Sequence, residues 1–325
     1  CIRDRLDLGL KATVGYSKTN FADPEAGAGR QNWGNPWFTT LLAYPYESPD
    51  DWYNVDNPTL ITKYYDRETG RLKTVASVYA KASITDWLSV KTNFGLDFMY
   101  NRNVSTLHRD HPNAQQNHGY YGQTSSELFR YTWTNTINVN KDFANGHSLN
   151  AVAGMEMFQG KWYTSNFTGY DLNSDMMQSP AGIGDKSGSS LFPPSIGGGR
   201  TMSNLMSFFA QASYSIANKY NFSASLRHDT SSKFYEDNAS ATFWSVGASW
   251  LISSESWFDN AKWLNQLKLR ASYGTTGNQD GVSDFGTFDG YYNSSYNGES
   301  GYSHGQLGNS EPVSYTHLRA HETLA

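Results

Sequence analysis

From Leu6, alternate residues read Leu6, Leu8, Leu10, Ala12, Val14 and Tyr16, and the intervening set reads Asp7, Gly9, Lys11, Thr13, Gly15 and Ser17. Side chains of a β-strand point to opposite faces with period 2, so this segment is a strand with one apolar and one polar face. Eight further segments repeat the pattern. Their apolar faces run Leu72–Ile84, Leu88–Tyr100, Phe129–Val139, Leu149–Met157, Phe208–Tyr214, Tyr220–Leu226, Trp244–Ile252 and Leu267–Tyr273, each read at every second residue. Within Phe129–Val139 and Leu149–Met157 only Asn135 interrupts the apolarity. The strand charges fall on the other face, at Asp7, Lys11, Lys73, Lys81, Lys91, Asp97, Arg130, Glu156, Arg227, Lys268 and Arg270. A Lys or Arg on the lipid face of a barrel costs roughly 2–4 kcal/mol at mid-membrane, whereas a watery lumen accepts it. One-sided charge therefore predicts a sheet whose outer face meets lipid.

The connections between these segments alternate in length. Long stretches at about 19–70, 101–125 and 163–205 alternate with tight turns at Asp86–Trp87, Asp142–Gly146 and Ala217–Lys219. A middling loop near 229–241, a link near 253–265 and a Gly/Tyr/Asn/Ser-rich tail from about 275 follow. Outer-membrane barrels place short turns toward the periplasm and long loops outside, so the order itself is informative. A β-sandwich has no reason to keep it.

Composition supports this reading. The chain is 38% hydrophobic, its mean hydropathy is -0.62, and no run of apolar residues is long enough for a membrane-spanning helix. Aromatic residues make up 15%, including 22 Tyr and 10 Trp. Rings at strand ends, Tyr16, Trp87, Tyr100, Trp162, Tyr220 and Trp250, suit the girdles that flank a barrel's apolar band. A net charge of -5 without a clustered basic patch argues against a nucleic-acid partner. The one cysteine, Cys1, forms no internal disulfide and reads as the edge of a truncation.

Two stretches carry a family resemblance. Ser207–Ser215 followed by Lys219–Phe234, and Phe243–Trp250 followed by Leu267–Gln279 with its Tyr273-Gly274-Thr275-Thr276-Gly277-Asn278-Gln279 ending, resemble the barrel of SusC/RagA-type TonB-dependent transporters of Bacteroidetes. The resemblance is specific over about 205–290 and rests on pattern over 1–204. It implies an all-β fold: an antiparallel transmembrane β-barrel fragment of about nine strands from a barrel of about 22, with the N-terminal plug domain and its TonB-contacting segment absent. Residues 1–312 are then a partial barrel domain. From Val313 the sequence reads Val-Ser-Tyr-Thr-His-Leu-Arg-Ala-His-Glu-Thr, without strand alternation, and resembles a translated sequencing adapter. Residues 313–325 are accordingly expected to be a non-native tail.

Candidate chemistry is sparse. His108-Arg109-Asp110-His111 lacks a third metal ligand and reads as solvated loop. Gly182-Ile183-Gly184 and Gly197-Gly198-Gly199-Arg200 do not join a strand to a helix, and read as flexible loop rather than a phosphate cradle. No nucleophile elbow or zinc-protease motif is present, so no catalytic residue, cofactor or metal is assigned. The loops offer aromatic side chains instead. Trp33, Trp37 and Trp52, then Tyr120 and Tyr121, then Tyr291 and Tyr292 are candidate extracellular contacts for a ligand or partner, with rim packing as the equal alternative. Arg130, Glu156, Lys268 and Arg270 are candidate lumen-facing residues.

The resemblance implies a protein of the Gram-negative outer membrane that imports a nutrient, an oligosaccharide ahead of a peptide. It further implies energy from the TonB complex, a SusD-like surface lipoprotein partner, and outer-membrane lipid around the barrel. Two other classes fit parts of the pattern: a TonB-independent structural or adhesive barrel, and a secreted carbohydrate-active β-sandwich enzyme. A plug domain upstream would exclude the first, and a single continuous sheet the second.

Overall fold

The computed structural model describes residues 5–20, 63–111, 114, 116–174, 176–177, 179–184, 191–234, 239–258, 265–279, 282–297, 299–308 and 317–324. Its strands are β1 (Leu6–Asn20), β2 (Tyr65–Ser83), β3 (Leu88–Leu107), β4 (Tyr120–Phe143), β5 (His147–Tyr170), β6 (Ser195–Ile216), β7 (Tyr220–Ser231), β8 (Ser240–Leu251), β9 (Lys268–Thr276), β10 (Tyr291–Tyr296), β11 (Glu299–His304) and β12 (His317–Leu324). The first nine pair in chain order within one sheet, β12 adds to β9, and β10 and β11 form a separate hairpin. No second sheet packs on the meander among the described residues, which removes the sandwich.

Register aligns the apolar faces into one belt. Leu8 lies opposite Ala80, Ala80 opposite Thr92 and Val78 opposite Phe94, and Phe94 opposite Trp133. The belt continues through Trp133 and Met157, Ala153 and Ala210, Ala210 and Leu226, Leu226 and Trp244, and Val246 and Tyr273. A slip of one residue at any pair would turn that strand's polar face toward lipid, so the outer solvent selects the register. Among the described residues the belt has no protein cover: Leu8 is 67% exposed and Leu226 is 53% exposed. The indole of Trp133 donates to Thr92 Oγ1 at 2.9 Å, which spares a polar N–H from meeting lipid unpaired.

The strands run well past the predicted band. β4 and β5 have 24 residues each, whereas about 9–11 suffice to cross a bilayer. The excess lies on the long-connection side, where Gly122–Glu127 pairs with Tyr163–Thr168. On β4 both faces are polar there, so alternation ends while the backbone ladder continues. Gly197–Gly199, expected to be loop, are paired residues of β6. The connections proper shrink to 108–119 and 171–194.

At the other end the turns are tight. Three residues, 217–219, join Ile216 to its partner Tyr220, and Ala217 and Asn218 among them have positive φ, 51° and 56°, which turns the chain tightly. Three residues, 144–146, likewise join Phe143 to His147, with positive φ at Asn145 (63°) and Gly146 (74°). The link 252–267 is the long member of this set, and Glu255 closes it. Its carboxylate accepts from the Tyr220 hydroxyl at 2.6 Å, the Trp250 indole at 3.1 Å and the Lys219 ammonium at 3.2 Å. These bonds, the Tyr220 one first, hold the Glu255 carboxyl below the usual carboxylate range.

Buried apolar packing occurs at the loop end of the sheet. Tyr65, Leu107 and Ala114 cluster with Tyr120 against them, and Tyr121, Leu172 and Ile183 cluster with Val104 and Phe167. Among the described residues these six are all of the buried hydrophobic side chains. A barrel wall needs no such core, because lipid covers its outer face.

The tail departs from expectation. Residues 317–324, read as lacking strand character, form β12 against β9. An unpaired strand edge presents a row of free N–H and C=O groups that any extended segment can satisfy. Pairing there follows from β9's open edge and needs no apolar alternation in the partner.

Candidate functional site

Strand parity puts the odd residues of β1–β3 and β6–β8, and the even residues of β4, β5 and β9, on the polar face. A cleft of ≈ 690 Å³ opens on that face, lined by Arg130, Thr132, Glu156, Phe158, Gly160, Trp162, Thr201, Ser203, Ser231 and Lys233, with Gln279 and Asp284 from the segment after β9. Its size is within the usual range for small-molecule pockets.

Glu156 is the centre of a cross-strand network. Its Oε2 accepts from Thr134 Oγ1 at 3.2 Å, and its Oε1 from Arg227 Nη2 at 3.4 Å. Arg227 Nε donates to Asp229 Oδ1 at 2.7 Å. Arg227 Nη2 also donates at 2.9 Å to Ser207 Oγ, on a side chain with no solvent exposure. One guanidinium thus ties β5, β6 and β7 and neutralises acids that would otherwise repel. Arg130 lines the same cleft and faces Asp97 in register. One carboxylate oxygen of Asp97 is shut from solvent without a hydrogen-bond partner among the described residues.

Of the four candidate lumen residues, the structure joins Arg130 and Glu156 at one cleft. Lys268 and Arg270 share the polar face but lie on β9, opposite Leu251 and Ser249. Arg270 edges a shallower recess with Asn221, Ser223 and Ser249. Trp162, expected in the lipid girdle, has even parity on β5 and lines the cleft at 41% exposure. Parity places Arg227 on the polar face, but its partners Glu156 and Ser207 on the neighbouring strands, and the role of Lys233, depend on register.

The aromatic candidates divide. Trp33, Trp37 and Trp52 lie outside the described residues. Tyr121 is 1% exposed, packed in the rim cluster, and donates to Gln123 Oε1 at 3.1 Å. Tyr120 is half-buried, edge-on to Tyr65 and Tyr170. Tyr291 and Tyr292 stand on the β10–β11 hairpin at 62% and 64% exposure. The His108–His111 pair separates: His108 Nε2 meets Asp66 Oδ2 at 3.0 Å. His111, expected to be solvated, is 2% exposed, and burial pushes its pKa down. Ile183 of the Gly-rich triplet is buried and bridges to Leu172.

The family described as TonB dependent receptor-like, beta-barrel, matches residues 11–312. TonB-dependent receptor P39 of Formosa agariphila is 27% identical over 263 residues, 80% of this chain and 24% of its own. TonB-dependent receptor SusC of Bacteroides thetaiotaomicron is 39% identical over 85 residues, 26% of this chain and 8% of its own. Among solved structures, the RagAB peptide transporter superposes with TM-score 0.78 at 20% identity, over 98% of this chain and 36% of that one. The open-open state of the RagAB peptide importer gives 0.80 at 19% identity, with the same coverage. The chain spans about a quarter of the length of the curated relatives that it matches most extensively.

Proposed function

Because the chain belongs to the TonB-dependent receptor-like β-barrel family and forms part of an outer-membrane β-barrel, we propose that the intact protein imports a nutrient through its lumen on energy delivered by TonB. The observation that carries this reading is the register-matched apolar belt outside a polar, cleft-bearing inner face. No bond is made or broken; this is a family of receptors and transporters, not enzymes. The plug and the TonB-contacting segment belong to the length of the relatives that this chain does not span. Residues 313–325 are not part of the barrel domain, a reading supported by the family match ending at Pro312.

We assign the cargo to the oligosaccharides. The cleft offers hydroxyls from Thr132, Thr201, Ser203 and Ser231 beside the Phe158 and Trp162 rings, a set that hydrogen-bonds sugar hydroxyls and stacks on sugar faces. Extended peptides commonly bind by adding to a sheet edge, and the cleft wall consists of interior strands whose backbone is already paired. The RagAB structures are titled as peptide transporters, but at 19–20% identity the likeness is one of fold. A SusD-like lipoprotein docks on the rim and helps to capture the cargo. The test is uptake of labelled oligosaccharides and peptides by cells expressing the full-length protein, with and without functional TonB, and co-purification of a surface lipoprotein. TonB-independent uptake would sink the energetic reading, and peptide-only uptake the cargo assignment.

A further inference from the structure

Past β9 the chain does not leave the barrel directly. Gln279 and Asp284 reach back to line the cleft whose opposite wall is β4–β6. Residues 282–290 are compacted by successive tight turns, Gly286 N to Ser283 O at 3.1 Å and Phe288 N to Phe285 O at 3.0 Å. Their far end is fixed to the base of the β10–β11 hairpin, with Gly290 N on Gln306 O at 2.7 Å. The segment brings little apolar packing of its own, since Phe285 is 50% and Phe288 57% exposed. Beyond the backbone bond from Val282 N to Gln279 O at 3.1 Å, one side chain among the described residues ties it to the barrel wall. The Lys233 ammonium donates to Val282 O at 3.1 Å and pairs with Asp284 Oδ1 at 3.5 Å.

Lys233 is well placed to hold the segment, because it sits on a fixed post. It follows β7 by two residues, and the turn that carries it is tied to β6 through Ser232 N to Asn204 O at 3.0 Å and Asn204 N to Ser232 Oγ at 2.8 Å. Both members of the ion pair are mostly covered, at 19% and 23% exposure. Water screens such a pair less than it screens one on an open surface, and a hydrogen bond from an ammonium is stronger than a neutral one. A segment with few buried apolar contacts and one charged tether has two states, seated or released, and the tether sets their balance.

We propose that residues 282–290 are a strap folded into the lumen that limits the size of what reaches the cleft, and that Lys233 is the latch holding it there. The inference rests on the assignment of the polar face as lumen. With the latch closed, only a narrow solute reaches Arg130, Thr132 and Trp162; with it open, the strap swings about its attachments to β9 and the hairpin and a wider solute enters.

The experiment uses the full-length protein in intact cells, with Thr132→Cys as a reporter on the cleft wall and other accessible cysteines removed. A small membrane-impermeant maleimide and a bulky polyethylene-glycol maleimide are applied separately. The small-reagent signal normalises for the amount of assembled protein, so a variant that folds poorly is still readable. Lys233→Gln and Asp284→Asn should each raise the bulky-to-small ratio by roughly tenfold, the shift expected when a charge-assisted hydrogen bond is lost. The double reversal Lys233→Asp with Asp284→Lys should return it partway toward the parent, since a carboxylate at position 233 re-forms the ion pair but cannot donate to Val282 O. An unchanged ratio in both single variants overturns the latch, and a raised ratio that the reversal fails to restore overturns the ion pair as its cause. If instead the small reagent labels Trp133→Cys and not Thr132→Cys, the lumen assignment itself fails.

Discussion

Phe94 gives the most direct test of the assigned faces. It is the central residue of the apolar series Leu88–Tyr100 on β3, lies between Val78 and Trp133 in register, and stacks on Tyr131 at 5.8 Å and 23°. Replacing it by Arg would place a guanidinium near the bilayer midplane, at a cost of roughly 2–4 kcal/mol, or about 30- to 1,000-fold in the folding equilibrium. Depth should matter as much as face. A strand rises about 3.4 Å per residue, and at a tilt of about 40° it gains roughly 2.6 Å along the membrane normal. Val90, four residues toward the short turns, is then about 10 Å from the midplane, where the cost of Arg falls to roughly 0–1 kcal/mol. Asn93 faces the lumen between Tyr79 and Thr134 and should accept Arg with little loss. The assay is folding of the full-length protein into phospholipid vesicles, followed by gel mobility across a urea series. Phe94→Ala and Asn93→Ala serve as references to subtract lost packing. The expected order of cost is Phe94→Arg, then Val90→Arg, then Asn93→Arg. The face assignment is refuted if Asn93→Arg costs as much as Phe94→Arg, and the depth argument fails if Val90→Arg does.

Other outcomes follow from the same geometry. An epitope inserted at Asn117, in the connection between β3 and β4, should be stained by antibody on intact cells, and one inserted at Asn145 only after the outer membrane is opened; the reverse would invert the topology. Tyr121→Ala should destabilise the rim by about 3–5 kcal/mol, as aromatic truncations in packed sites do, while Tyr292→Ala, 64% exposed, should stay within about 0.5 kcal/mol; thermal melting of the detergent-solubilised protein separates them. Replacing Trp33, Trp37 and Trp52 together by Ala should weaken uptake or lipoprotein binding at near-normal membrane levels, because long loops rich in aromatics are poor candidates for disorder. Unchanged uptake and binding would reduce those rings to loop packing, and lost membrane levels would give them a role in assembly.

Lipid explains which parts of this architecture could be read from the chain alone. Bilayer contact penalises every charge on one face, so Leu6–Tyr16 and its eight counterparts carry a period-2 pattern that stands out against any composition. Where the strands leave the bilayer the penalty ends, and Gly122–Glu127 on β4 or Gly197–Gly199 on β6 look like loop although their ladders are intact. The polar face is constrained still less locally. Arg227 and Asp229 are two apart on one strand, and their pairing is within reach of a sequence argument, but Glu156 lies 71 positions away and Val282 lies 49 from Lys233. Those contacts exist because the outer face sets the register and the register then delivers inner side chains to one another. Trp162 shows the consequence. Judged as an aromatic at a strand end it belongs to the girdle, whereas parity with Glu156 and Phe158 turns it into the cleft. The membrane thus writes the outside of the barrel into the sequence directly, and the inside only through the pairing that the outside enforces.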